Sequence, residues 1–200
     1  MLANLWQDGS GFYSLSLKAN GSGILLYNHE MDGTNSQQRP YILDNWSSSV
    51  WTRHSVTSDS DKNLYLAGTQ DGDLEIQRFD ASISSSGTHY WSTSVAGEGT
   101  AITLGADNTE IYVGAKVSGE TVLMKIDSSN GMPVWSFGYT STTPDYSVAV
   151  LSHFSDGSSS YVFAAMNSAD NSKMALVRFT LASDLSQVPT AVLTHTFPNF

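Results

Sequence analysis

One short apolar pattern returns along this 200-residue chain at a spacing near 50 residues. Leu64-Tyr65-Leu66-Ala67-Gly68 is matched by Ile111-Tyr112-Val113-Gly114-Ala115, 47 residues later. Tyr161-Val162-Phe163-Ala164-Ala165 is a third copy about 50 residues further on. Self-similarity at such a period means that one supersecondary unit is being repeated and stacked. Each copy is followed by a second segment ending in a basic and an apolar residue: Ile76 to Phe79, Leu123 to Ile126 and Leu176 to Phe179. Each is preceded by a shorter one: Trp51 to Val56, Thr100 to Leu104 and Tyr146 to Leu151. A fourth closes the unit at Tyr90 to Thr93, Val134 to Phe137 and Val192 to Phe197. The segments alternate apolar and polar with period two, are rich in Val, Ile, Thr and aromatic residues, and are separated by Gly, Asn, Asp and Ser clusters. That is the pattern of short strands joined by turns, and helical periodicity is almost absent. The chain reads as all-β.

Four antiparallel strands in 45 to 50 residues is the arithmetic of a β-propeller blade. The expected organisation is a single repeat-built domain over residues 1–200, with units at about 1–48, 49–98, 99–145 and 146–200. In the first unit Asn4-Leu5-Trp6, Phe12 to Leu17 and Ile24 to Tyr27 fit the second, third and fourth strands, so the first blade is expected to lack one strand. An incomplete blade exposes unpaired N–H and C=O groups, a template for strand addition. Either the tail from Pro189 to Phe200 covers that edge or another copy does.

Asp127-Ser128-Ser129-Asn130-Gly131-Met132-Pro133-Val134-Trp135 resembles the Asp-x-x-x-Gly-x-x-x-Trp signature of quinoprotein-type (PQQ-like) propeller repeats. Unit two keeps its end as Gly87-Thr88-His89-Tyr90-Trp91, and unit one keeps Gly23 to Tyr27 with Tyr in place of Trp; unit four departs from it. The motif's chemistry is structural. Gly turns a hairpin without steric penalty, Asp accepts turn amides, and Trp is a large apolar plate whose N–H needs a partner. The resemblance implies that Tyr27, Trp91, Asp127, Gly131 and Trp135 dock blade against blade. It implies no cofactor, because a quinoprotein dehydrogenase takes a full ring of blades, a calcium ion and often a vicinal disulfide. The resemblance lends fold and not activity.

Composition narrows the function classes. Nine basic residues against nineteen acidic ones disfavour a nucleic-acid or anionic-membrane partner. No apolar run approaches the 18 or so residues of a spanning helix. With no cysteine, disulfides, thiolate zinc sites and cysteine nucleophiles are excluded. The 32 Ser and 17 Thr, with few Lys, suit an extracellular or cell-surface β protein. The first nine residues have neither a basic stretch nor an apolar core and do not read as a secretory signal. Asn20 and Asn45 head the sequons Asn20-Gly21-Ser22 and Asn45-Trp46-Ser47, about what chance places in a chain this rich in Ser and Thr.

No phosphate loop, nucleophile elbow or zinc-protease helix is present. His29, His54, His89, His153 and His195 form no close pair in sequence, although His54 and His153 both fall towards the ends of first strands. Ser58-Asp59-Ser60-Asp61-Lys62-Asn63 has the alternating oxygens of a calcium loop but lacks its Gly and its closing Glu, so a hairpin turn accounts for it. The expectation is a non-enzymatic extracellular structural, adhesive or assembly module without cofactor or metal. It self-associates through the open edge as a filament or surface-layer subunit. The alternatives are a fragment of a larger quinoprotein-like or sugar-processing propeller enzyme, and a carbohydrate-binding propeller that stacks sugars on Trp6, Trp46, Trp51 and Tyr139.

Overall fold

A computed structural model of the chain describes residues 2–7, 11–17, 24–30, 41–42, 51–61, 63–80, 89–139, 145–182 and 187–198, with side-chain surroundings for most of those from residue 55 onward. These residues form strands and turns and no helix. The first sheet runs β1 (Leu2–Gln7), β2 (Gly11–Leu17), β3 (Ile24–Glu30) and β4 (Tyr41–Ile42). The second runs β5 (Trp51–Ser58), β6 (Asn63–Gln70), β7 (Asp73–Asp80) and β8 (His89–Ala96). The third runs β9 (Glu98–Leu104), β10 (Glu110–Val117), β11 (Glu120–Asp127) and β12 (Pro133–Tyr139). The fourth runs β13 (Tyr146–Ser155), β14 (Ser160–Ser168), β15 (Lys173–Leu181) and β16 (Thr190–Pro198). In every sheet spatial order is chain order and all neighbours are antiparallel. The strands expected in units two to four are all found.

The hairpins follow from turn chemistry. Between β6 and β7 both central residues, Asp71 (φ 51°) and Gly72 (φ 95°), are left-handed, and Ser118 (φ 51°) and Gly119 (φ 83°) repeat this between β10 and β11. Two successive positive φ angles define the type I′ turn, whose twist matches that of the strands it joins.

The first unit corrects the expectation of a missing strand. The segments at 2–7, 11–17 and 24–30 are its first three strands, and β4 is the fourth, paired through Leu25 with Ile42 and Leu26 with Tyr41. A two-residue strand beyond residues 31–40 is too short for alternation to reveal, so alternation alone sets the three visible strands one place too late. Tyr27 therefore lies in the third strand, not in the position of Trp91 and Trp135. The C-terminal segment is also no cover for a foreign edge, because β16 pairs with β15 as the last strand of its own sheet.

The core lies between sheets. On the second sheet Tyr65, Ala67, Leu74 and Ile76 face the third and pack against Ile102, Ile111, Val113, Ala115, Val122, Met124 and Ile126. The opposite face of the third sheet, with Ala101, Tyr112, Leu123 and Trp135, packs against Val148, Leu151, Val162, Ala164, Val177 and Phe179 of the fourth. Successive side chains of a strand point to opposite faces, so β10 is buried on both, and Ile111, Tyr112 and Val113 are each 0% exposed. Polar stitches tie the layers together. Thr69 Oγ1 donates to Gly99 O across the second and third sheets at 3.3 Å, and Thr121 Oγ1 donates to Tyr146 O across the third and fourth.

The third and fourth sheets approach closely at Gly114, where a Cβ would stand 2.7 Å from Val148 Cγ1. Gly114→Ala is expected to push β13 off β10 and cost about 1–3 kcal/mol, the usual penalty of overpacking. A urea titration reads it as a lowered midpoint, and an unchanged midpoint would contradict the packing described.

Candidate functional site

In a four-stranded meander the turns after the first and third strands fall at one end of the sheet. At this end the chain places Asp-led turns. Asp107, Asp127, Asp156 and Asp170 each accept the amide of the residue two positions on (Thr109, Ser129, Ser158 and Ser172) and that residue's hydroxyl as well. Of these, the first three lie at this end and Asp170 lies in the β14–β15 turn at the other. Hydrogen bonds from these hydroxyls and amides hold the Asp107, Asp127 and Asp156 carboxyls below the usual range and bring Asp170 to about 2. Asp59, the head of the calcium-like segment, accepts the amides of Asp61 and Asn63, the Asn63 side chain and the Tyr65 hydroxyl. Its oxygens serve the turn. Burial and then that bond to Asp59 push the Tyr65 phenol up to about 12.

Beneath the turns sits a buried charge pair. Glu110 opens β10 and Lys125 lies on β11, their side chains 8% and 7% exposed, with Nζ 3.3 Å from Oε1. The other Glu110 oxygen accepts the Tyr112 hydroxyl, two residues along the same strand face. Burial, then the Glu110 carboxylate, raise the Tyr112 phenol well above its ordinary value, so it stays a donor. The Tyr112 ring stacks parallel on the His153 imidazole of β13 at 5.9 Å. His153 Nε2 lies 2.7 Å from Ser160 Oγ, across the β13–β14 hairpin. Burial lowers the His153 pKa below 6.5, partly opposed by the charges of Glu110 and Asp107.

Two clefts open here and share Asp107 and Glu110. One, of about 490 Å³, is lined by Asp107, Glu110, His153, Ser160 and the Ser155–Ser159 turn. The other, of about 720 Å³, is lined by Asp59, Asp61, Tyr65, Arg78, Lys125 and Asp127. The smaller joins a neutral imidazole, a hydroxyl within hydrogen-bond reach and two carboxylates, the parts of base-assisted hydrolysis. Only His153 among these was singled out from sequence. Glu110 and Tyr112 carry an i, i+2 signal, but Lys125 and Ser160 join them only through strand register.

The residues singled out for blade docking are placed as follows. Trp91, on β8, donates Nε1–H to Ser128 O at 3.0 Å, in the turn of the next sheet, where Arg78 Nη1 donates at 3.2 Å. Gly131 has φ 75°, and a Cβ there would stand 2.5 Å from the Trp91 ring, while Thr93 Oγ1 donates to Gly131 O. Asp127 organises this turn. Trp135 is 8% exposed and packs at 6.1 Å from the Tyr112 ring. Tyr27 has its backbone in β3, and its side chain lies outside the described residues. Asn20 and Asn45 lie outside them too, as do the side chains of Trp6, Trp46, Trp51, His29, His54 and His89. Tyr139 meets Phe179 edge-on and is half-buried, not an open sugar platform. Among the described residues no three His, Asp or Glu side chains converge on a metal-sized site.

No family model and no curated protein sequence matches the chain. Solved structures do match its shape. A Bacteroides uniformis protein whose proposed activity is that of a 6-phosphogluconolactonase superposes with TM-score 0.64 at 12% identity, over 98% of this chain and 56% of that one. The Pseudomonas aeruginosa periplasmic gluconolactonase PpgL gives 0.60 at 13%, over 98% and 56%. BamB from Moraxella catarrhalis gives 0.54 at 16%, over 97% and 48%. The chain thus has the β-propeller fold and spans about half the length of the solved structures it matches. The expectation of a non-enzymatic chain is overturned here. It rests on missing sequence motifs, yet structures of this same shape include proteins named as gluconolactonases.

Two outcomes are expected. Glu110→Gln removes one half of the buried Glu110–Lys125 pair beneath the turns and destabilises the fold by about 3–5 kcal/mol, the cost of breaking a buried pair, read by chemical denaturation. The His153 proton resonance titrates in the folded protein with a midpoint below 6.5. Because the folded-state value is depressed, the associated stability is complete above 6.5 and is lost as pH falls through the folded pKa.

Proposed function

We propose that this chain contributes four blades to a closed β-propeller that hydrolyses a neutral sugar-derived ester of the lactone class. The observation that carries the reading is the His153–Ser160 contact, set between Asp107 and Glu110 in an open cleft. Gluconolactonases among the structures of similar shape support the choice of ester.

The reaction follows from the groups present. Neutral His153 accepts the Ser160 hydroxyl proton at Nε2 as Oγ attacks the lactone carbonyl carbon. The ring C–O bond then breaks, and the departing oxygen takes the proton from the imidazolium, leaving an acyl-serine. Water attacks this ester with His153 again as base, the Ser160 oxygen leaves and recovers its proton, and a hydroxy acid is released. Asp107 and Glu110 favour the imidazolium formed at each step. The same carboxylates, within a chain of net charge −10, repel an anionic ligand. They favour an uncharged lactone over a phosphorylated one and speed departure of the carboxylate product.

A setting outside the cytoplasm suits this reading, as the name of PpgL places that protein in the periplasm. The Asp127–Trp135 turn fits a propeller repeat of the quinoprotein type, a reading that the shape likeness to BamB supports. Nothing on the described residues favours an adhesive role.

Acid release from gluconolactone, followed as base uptake in a pH-stat against the uncatalysed rate, tests the proposal. Activity is expected to rise as His153 deprotonates, to fall about 100-fold or more in Ser160→Ala and in His153→Asn, and to be weaker on the 6-phospho lactone. Wild-type protein at the background rate, or variants as active as it, would overturn it.

A further inference from the structure

A catalytic base needs a third group to aim it, because its contact with the nucleophile fixes one atom and not the ring. For histidine the need is acute. The torsion that turns its ring is broad and roughly two-fold, so rotamer preference alone does not set the imidazole plane. His153 meets Ser160 Oγ through Nε2 at 2.7 Å. Its ring face meets Tyr112, at 5.9 Å between centroids and with an interplanar angle of 0°.

Tyr112 is itself firmly held. Its hydroxyl donates to Glu110, whose other oxygen lies 3.3 Å from the Lys125 ammonium. The Trp135 ring lies against it at 6.1 Å, tilted by 44°. The residue is 0% exposed, and at interior packing density its ring has no room to swing.

The neighbouring blade shows which ring sets the other. In the second sheet Tyr65 is 1% exposed, donates its hydroxyl to Asp59 and meets Trp91 at 6.4 Å with the same 44° tilt. Tyrosine, tryptophan and a carboxylate therefore take up this arrangement as part of the repeat. There the group over the tyrosine ring is the Arg78 guanidinium, at 5.7 Å. The blade fixes the tyrosine, and the imidazole is laid against it.

We propose that Tyr112 is a positioning residue for the reaction at Ser160, its ring fixing the plane of His153 so that Nε2 faces Oγ. The inference deepens the lactone-hydrolysis reading and rests on it for its effect on rate. Tyr112 acts through His153 and touches no reacting atom. The contacts run from Lys125 through Glu110, Tyr112 and His153 to Ser160, and so from the larger cleft to the smaller. The Tyr112 ring lies outside the walls of the smaller cleft, so its loss acts on kcat and not on KM. A misplacement of about 1 Å at such a site costs on the order of 100-fold in rate.

Tyr112→Phe and Tyr112→Met test it beside the wild type. Both lose the hydroxyl, but Phe keeps the flat face, while Met fills the space with a flexible chain that has none. Tyr112→Phe is expected to lose about three-fold in kcat and Tyr112→Met about 30-fold or more, with KM for gluconolactone within about two-fold in both. Carbon-13 relaxation of the His153 ring reads its order with no substrate present. The ring is expected to be rigid in the wild type and in Tyr112→Phe, and mobile on the nanosecond scale in Tyr112→Met. Equal kcat in the two folded variants, or a loss confined to KM, would overturn the proposal. So would an imidazole as ordered in Tyr112→Met as in the wild type, or one mobile in the wild type itself, a result that needs no variant to fold. A wild type inactive on lactones but showing the expected relaxation pattern would overturn the hydrolysis reading and leave the positioning of His153 by Tyr112 supported.

Discussion

A four-stranded sheet with apolar side chains on both faces cannot bury them alone, and the rest of this molecule follows from that constraint. The third sheet resolves it most fully, with Ile111 and Val113 turned to the second sheet and Tyr112 and Leu123 to the fourth. Because burial on both faces needs neighbours on both sides, each blade's stability is vested in the adjacent blades, as in other repeat arrays. Gly114, pressed against Val148, shows how little slack the arrangement leaves.

Stacking also explains where the polar chemistry collects. Sheets pressed face to face leave only their ends to solvent, so charged groups gather at turns. Most turn carboxylates there are spent locally: Asp127 organises the turn that accepts Trp91, and Asp59 holds its own hairpin. The Glu110–Lys125 pair lies a step deeper, where its desolvation is offset by mutual attraction and by the Tyr112 hydroxyl. His153 stacks against that tyrosine, so the packing of one interface positions the imidazole that faces Ser160. Structural and candidate catalytic roles share one scaffold.

Much of the fold was legible because strands and turns leave local marks. Alternation at Leu64–Gly68, at Ile111–Ala115 and in their partners located the strands of units two to four, and the Asp and Gly spacing of 127–131 located a turn. Where the mark is too short, as at Tyr41–Ile42, the reading shifts by one strand and misses a strand that the folded chain has. The candidate site was far less legible. Glu110, Lys125, His153 and Ser160 come from four strands of two sheets, and no spacing in the sequence joins them.

The sequence by itself determined the all-β class, the four-stranded repeat, the turn positions and the absence of thiol chemistry, since each depends on side-chain alternation, on the φ freedom of Gly and Asn, or on composition. Only the tertiary structure decided which residues meet. Register and face-to-face stacking are long-range choices, made when apolar faces find one another across the chain. They brought a carboxylate, an imidazole and a hydroxyl to one cleft.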